Sequence, residues 1–353
     1  MTKSLLQVLK TLVFFSVGFF VLYLVYQNQN TAYLEDCKLK GISSEDCSLL
    51  KKVGQDIASA NYWWIGFSML LFMVTNLFRA LRWKMMLEAM EYKTSLFNLF
   101  GTIMVNYLAN LGIPRSGEIL RAGMLSGYEK VPVEKVLGTI FTDRIFDVIC
   151  LGLVILLALY FGGSDFSDYL NKNARWSMEI PGFSAAPLGW ALILVGIIMS
   201  FVAFWYYRQS ILHSALGKKV WDKIKGFYFG VASVRKVSSI PLFLFYTAGI
   251  WIIYYFMLYV SFSAFGPTTE LGPIAALMVF TFGSLGILFP SPGGMGSYHM
   301  LVGESLGIYG VSGSDAFAFA NIVFFSIQIG VNVIFGFLFL ILLPLYNKPK
   351  ELN

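Results

Sequence analysis

Leu111-Gly112-Ile113-Pro114-Arg115-Ser116-Gly117-Glu118-Ile119-Leu120-Arg121 and Leu288-Phe289-Pro290-Ser291-Pro292-Gly293-Gly294-Met295-Gly296 are the two stretches whose reading decides the fold. Each lies between apolar segments long enough to enter a bilayer. Proline and glycine free backbone N–H and C=O groups, and these cannot face lipid. Irregular backbone at membrane depth is tolerated only where it is buried in protein or lines a polar cavity. A matched pair of broken segments in the two halves of a membrane protein points to a transport site.

Working outward, the composition agrees with a bilayer environment. The chain has 353 residues, 57% hydrophobic and only 13% charged, against about 25% charged in soluble domains. That leaves no room for a large soluble domain. The net charge of +6 reads as basic loops on the cytoplasmic side rather than as a nucleic-acid surface. The first apolar run, Thr11 to Tyr26, has no small-residue cleavage site after it and reads as a retained first helix.

A spanning helix needs about 20 mostly apolar residues. Spans are expected near 9–27, 60–82, 136–160, 187–207, 240–264 and 315–345. Two further apolar stretches, 95–112 and 273–289, run into the breaks. The loop from Arg208 to Lys236 carries seven basic residues and one acid, Asp222, so it belongs in the cytoplasm. Lys3, Lys10, Lys348 and Lys350 place both termini there too. The segments 28–59 and 161–186 are acidic or balanced and suit the outer face.

These assignments close if 95–128 dips in from the cytoplasm and 273–309 dips in from outside. Reading one hairpin as a full span breaks the agreement. Reading both as full spans keeps the ends correct but puts the basic loop outside. The expected fold is therefore an all-α polytopic membrane protein. It has about six transmembrane helices and two opposed re-entrant helical hairpins, arranged as an inverted repeat. Eight ordinary spans with proline kinks is the alternative left open. Residues 1–59 form the first helix and an external loop, 60–345 the main transmembrane domain, and 346–353 a short cytoplasmic tail.

Charges near the first break supply the chemistry. Arg144 and Asp147 are three apart on one helix face and can pair; Asp143 stacks over Asp147. Charges at mid-membrane cost about 2.5–3.5 kcal/mol each on insertion scales, so they face protein or water. Glu118 and Arg121 repeat the three-residue spacing, Arg115 lies beside Pro114, and Asn106 and Asn110 precede them. Guanidinium groups suit phosphate, which they can bind through two oxygens. A helix restarting after Gly117 adds free N–H groups. For each constellation a purely structural role, as a neutralised pair or a helix cap, stays open.

The second break has no charge. Pro290, Pro292, Gly293, Gly294 and Gly296 set a tight turn and allow close backbone approach. His299 follows as a candidate for gating or proton carriage, or as a structural histidine. Asn321, Gln328 and Asn332 are expected to hydrogen-bond between helices. Asn76, Arg79 and Arg82 share a face at the inner end of the second span, where snorkelling is the simplest account. The segment 208–239 is expected on the inner membrane surface. Cys37 and Cys47 sit in a loop placed outside, where a disulfide is as plausible as two free thiols; Cys150 reads as packing.

Enzyme signatures are missing. Two histidines cannot build a metal cluster with the cysteines outside, and no Walker, Rossmann or Gly-x-Ser-x-Gly motif occurs. No cofactor is expected, and transport would be passive, exchange-type or ion-coupled.

At these residues the chain resembles the transmembrane flippase-like domain of lysylphosphatidylglycerol synthases and its stand-alone relatives. The matching pieces are Arg79-Ala80-Leu81-Arg82-Trp83, Asn110 with Pro114 and Gly117-Glu118-x-x-Arg121, Arg144-x-x-Asp147, and Pro292-Gly293-Gly294-x-Gly296. They occur in the family's order over roughly 60–345. The resemblance implies a multi-pass inner-membrane protein that moves a polar-headgroup lipid between leaflets. The lipid is aminoacylated in the fused synthases, and a phospholipid or polyprenyl-phosphate-linked lipid is the class open to relatives. The sequence ends six residues after Asn347, so a member without the synthase domain is expected. Where the family often carries Glu after the Pro-Gly-Gly turn, this chain has Ser297-Tyr298-His299. That departure, with Arg115, Arg121 and Arg144 kept, favours an anionic headgroup.

The expected function is thus a lipid flippase. Asn110, Arg115, Glu118, Arg121, Arg144 and Asp147 would contact the headgroup, and Pro114, Gly117, Pro290, Pro292, Gly293 and Gly294 would form the hairpin tips. Membrane lipids are the expected partners, with a separate lipid synthase or glycosyltransferase as a further one. The alternatives are an embedded enzyme with Glu118 or Asp147 as general base, and a non-transporting partner of a synthase. Single cysteines at 110 and 294 should react slowly with impermeant maleimide from both sides, and one at 222 only from the cytoplasm. Labelling of 222 from outside would overturn the orientation.

Overall fold

Local chemistry starts the helices where polar or proline residues meet apolar runs. A computed structural model describes residues 47–113, 115–172, 225–289 and 291–347, together with separate residues between 16 and 38. Side chains of 166–172 are outside the described set. Helix α1 spans Leu49–Ser59, with the Ser48 hydroxyl accepting from Lys51 N–H. Helix α2, Tyr62–Glu88, opens on Asn61, whose side chain accepts from Trp63 N–H at 3.1 Å. Such caps satisfy donors that the first helical turn leaves free.

The first break separates α3, Leu96–Gly112, from α4, Ser116–Glu129. Helix α5 follows over Val133–Lys172. Helix α6, Ile240–Phe262, starts with a Ser239 cap and a proline in its first turn. The second break separates α7, Pro273–Leu288, from α8, Ser297–Gly307. The last apolar segment is α9, Gly313–Phe325, a π-helical stretch, Ser326–Val333, and α10, Ile334–Tyr346. The described residues contain no strand.

Four helical segments among the described residues are long and apolar enough to cross a membrane: Tyr62–Glu88, Val133–Asp165, Ile240–Phe262 and Gly313–Tyr346. Large apolar side chains lie exposed along them, among them Leu156, Phe245 and Ile341. In water that exposure would be unstable, whereas lipid tails accept it without cost. The expected span 187–207 and most of 9–27 and of the basic loop lie outside the described residues, as do Pro114, Pro290 and the tail after Asn347.

Packing repeats itself across the two halves. Helix α2 packs along α6. Helix α3 packs on α4 and α10, while α7 packs on α8 and α5. Helix α4 packs on α5, and α8 on α9. Exchanging α2, α3, α4 and α5 for α6, α7, α8 and α9–α10 maps this contact set onto itself. Each broken pair thus packs its first arm against the last apolar segment of the other half. The first half's core contains Trp83, Met86, Ile103, Leu125 and Ile140; the second contains Phe262, Val279, Val302, Leu306 and Phe319.

The two breaks use different means. At the first, Asn106 C=O would lie 2.1 Å from a Cβ on Gly117, so only glycine lets α4 start there. At the second, Gly293, Gly294 and Gly296 have φ of 60°, 84° and 84°, a conformation that costs other L residues.

The segment 28–59, expected as an external loop, is largely helical where described, and α1 packs on α9. Its apolar residues Leu49, Val53 and Ile57 recur at helical spacing, a short pattern overridden by the emphasis on charge. Cys37 and Cys47 are joined in a disulfide. Lys52 bridges Asp56 at 2.6 Å and Asp315 at 2.5 Å. Burial pulls the Lys52 ammonium pKa down, but these carboxylates outweigh it and hold it above the ordinary lysine value.

Gly117→Ala should destabilise the protein by about 1–3 kcal/mol, the range for overpacking a filled site. Gly123→Ala, with nothing within 4 Å, should be neutral or mildly stabilising. Thermal unfolding in detergent checks the pair, and equal effects would refute the close-packing account of the first break.

Candidate functional site

Asp143 on α5 is fully buried and faces two arginines from α2. Arg79 Nη1 donates to Asp143 Oδ2 at 2.9 Å and to Asp147 Oδ2 at 2.8 Å. Arg82 Nη2 donates to Asp143 Oδ1 and, at 3.1 Å, to Asp147 Oδ1. Arg82 Nη1 also reaches Thr247 Oγ1 on α6 at 3.2 Å. One carboxylate pair therefore ties three helices together. The expectation that Arg79 and Arg82 snorkel to the surface is corrected: they are 3% and 0% exposed. The reason is helix length. Helix α2 continues to Glu88, so Arg82 lies about 9 Å inside its end at 1.5 Å per residue.

Arg144 and Glu118 form the outer part of the cluster. Arg144 Nε is 3.1 Å from Glu118 Oε1, and Arg144 Nη1 is 3.2 Å from Asp147 Oδ2. The Arg144–Asp147 contact follows the three-residue spacing. Glu118, however, turns to Arg144 rather than to Arg121. Arg144 and Glu118 side chains are 39% and 36% exposed, whereas Asp147 is 13% and Asp143 0%. Ile119 and Leu120 on α4 and Phe141, Ile145 and Val148 on α5, neighbours of these charges along the chain, are exposed apolar residues.

Arg121 is fully buried, and its guanidinium carbon lies 3.6 Å over the Trp83 ring. Trp83 Nε1 donates to Thr139 Oγ1 at 2.8 Å. Neither Nε nor Nη2 of Arg121 has a hydrogen-bond partner. A cation over an aromatic face gains about 0.5–2 kcal/mol, less than the several kcal/mol that burying an ion costs. The cluster holds four guanidinium groups (Arg79, Arg82, Arg121 and Arg144) and three carboxylates (Glu118, Asp143 and Asp147). It carries one positive charge in excess, and Arg121 is the member without a carboxylate.

The remaining sequence candidates have other surroundings. Asn110 Oδ1 accepts from Gly117 N–H at 2.9 Å, closing the first break. Arg115 has φ 64° and reaches Leu288 C=O at 3.5 Å. Leu111 packs against Gly293, so the two breaks touch. Gln328 Nε2 donates to Gly293 C=O at 3.0 Å, and Asn332 Nδ2 to Gln328 Oε1 at 2.8 Å. Asn321 donates within its own helix, to Phe317 C=O. His299 is 1% exposed among Tyr298, Phe317 and Phe324. Neither of its ring nitrogens has a hydrogen bond of good geometry, and Asn321 is the polar side chain facing it. Pro292 is buried in the second turn. Among the described residues no group of three or more His, Cys, Asp or Glu could hold a metal ion.

Fold and cluster together define an all-helical membrane protein of two similarly packed halves around a buried arginine–carboxylate network. The chain belongs to the family of the lysylphosphatidylglycerol synthase transmembrane region, whose model matches residues 48–344. Membership places it in the membrane and associates it with lipid chemistry. No curated protein and no solved structure matches the chain.

Asp143→Asn should cost about 3–5 kcal/mol, the range for breaking a buried pair and leaving charge uncompensated. Thr247→Ala, which removes one hydrogen bond, should cost about 1 kcal/mol. Thermal unfolding in detergent separates them, and an Asp143→Asn protein as stable as wild type would refute the clamp.

Proposed function

We propose that this protein moves a lipid with an anionic, phosphate-bearing headgroup between leaflets of the inner membrane. One observation carries the reading. Arg121 is a buried guanidinium with no carboxylate paired to it among the described residues, in the same cluster as a partly exposed Arg144 and on a helix with exposed apolar residues. A headgroup phosphate would supply the missing charge, while acyl chains would stay against Ile119, Phe141 and Val148. The groove would replace headgroup hydration that hydrocarbon cannot supply.

The two broken pairs are the re-entrant hairpins in this reading, entering from opposite faces with both termini cytoplasmic. Their touching tips and the repeated packing support an inverted repeat. The first tip brings the charge, and the second brings glycine turns bonded to the π-helical stretch, a feature frequent at functional sites. Transport uses no nucleotide, and a separate synthase or glycosyltransferase supplies the lipid. An embedded enzyme with Glu118 or Asp147 as base has less support, because guanidinium groups hold both carboxylates.

Arg144→Ala should leave the fold intact, since Arg79 and Arg82 still neutralise Asp147. It should slow translocation of an anionic phospholipid in reconstituted vesicles about tenfold to a hundredfold, the equivalent of one charge-assisted contact. Wild-type flipping by the folded variant would sink the proposal.

A further inference from the structure

We propose that Glu118 occupies the position of the headgroup phosphate in this structure, as a built-in counter-ion that the substrate displaces. The inference rests on the transport reading above and gives Glu118 a different role from that of Asp147. Three observations separate the two carboxylates.

First, Asp147 is held by Arg79, Arg82 and Arg144 together, whereas Glu118 touches Arg144 alone. Second, the Glu118 contact is close in distance, but Arg144 Nε makes no hydrogen bond of good geometry. A guanidinium–carboxylate fork would bind through two parallel bonds; this contact leaves the fork unfilled. Third, Glu118 and Arg144 are the most exposed charges of the cluster, so a ligand arriving from the opening meets them first.

The unpartnered Arg121 shows what lies behind. It is on the same helix as Glu118, three residues on, and in the field of Asp143, Arg144 and Arg79. Glu118 brings one carboxylate oxygen to 3.1 Å from Arg144 Nε and leaves the fork unfilled. A phosphate has more acceptor oxygens and carries them in three dimensions, so it can engage Arg144 while also reaching toward Arg121. Glu118, on the first turn of α4, then turns outward to solvent or headgroup hydroxyls. No bond is made or broken; one anion replaces another.

The exchange sets selectivity as well as access. A lipid without a free phosphate charge has nothing with which to displace Glu118 and meets the Glu118–Arg144 pair intact. Exposed ion pairs are worth about 0.2–1 kcal/mol, so the barrier set by Glu118 corresponds to about a 1.4- to fivefold effect on affinity. This is small enough for ordinary lipid concentrations to overcome.

The test uses the full-length protein in phosphatidylcholine vesicles, with spin-labelled phosphatidylglycerol as the probe. Glu118→Gln keeps the side-chain shape and removes the competing charge. It should raise apparent affinity for phosphatidylglycerol about 1.4- to fivefold. Glu118→Gln should give no gain in an Arg144→Gln background. Inorganic phosphate is titrated in parallel. A gain seen for inorganic phosphate alone would keep the exchange but overturn a lipid as its source. Unchanged or weaker phosphatidylglycerol binding by a Glu118→Gln protein of wild-type thermal stability would overturn the exchange. That result leaves the transport reading standing if Arg144→Ala still slows flipping about tenfold or more. Normal flipping by Arg144→Ala would overturn both.

Discussion

Two arginines on one helix held by one buried aspartate form the constraint on which the rest of this structure depends. Asp143 has no solvent contact and accepts from both Arg79 and Arg82, while Asp147 below it accepts from the same pair. None of these groups could be buried alone. Together they fix the rotation and depth of α2 against α5, because a quarter turn of either helix would strand a charge. Apolar packing could not do this within a bilayer, where lipid tails compete on equal terms with apolar side chains. Thr247 carries the constraint to α6, and so from one half of the molecule to the other.

The first broken pair is positioned by that frame. Helix α4 packs between α3 and α5, and its glycine start brings it against Asn106 and Asn110. This closeness turns Arg121 inward over Trp83, a residue that α2 has already fixed one position after Arg82. The guanidinium is therefore held by stacking rather than by charge. Stacking leaves N–H groups free, whereas a carboxylate would have consumed them. An anion site inside a protein requires that separation: a cation kept in place by something other than an anion.

Much of the helical layout could be read from the sequence, because breaks and apolar length leave strong signals. The first arms of the two broken pairs end at Gly112 and Leu288, two residues before Pro114 and Pro290. The site was less legible. Arg79 and Arg82 looked like interfacial residues because apolar character fades after Arg82, yet Trp83, Met85, Met86 and Leu87 carry the helix on as buried core. The Glu118–Arg144 contact joins two helices and leaves no periodic trace, so local spacing suggested Glu118–Arg121 instead. Helix α1 was missed for a related reason. Its charged face dominated the composition, and its partner Asp315 lies 263 residues away.

The asymmetry between the breaks follows from what each must do within a repeated frame. Similar packing in both halves supplies two equivalent turns, but the charges lie beside the first and none lies within the second. Doubling them would add buried ions at several kcal/mol each. The second turn instead carries three residues in the left-handed region and hands the Gly293 carbonyl to Gln328 on a π-helical stretch. A π-helical turn is already one residue out of the regular ladder, so shifting it sacrifices less than unwinding an α-helix would. Arg115 spans from the charged tip to Leu288 beside this turn. At 3.5 Å and exposed, that contact is weak beside the buried arginine–aspartate pairs that fix the frame.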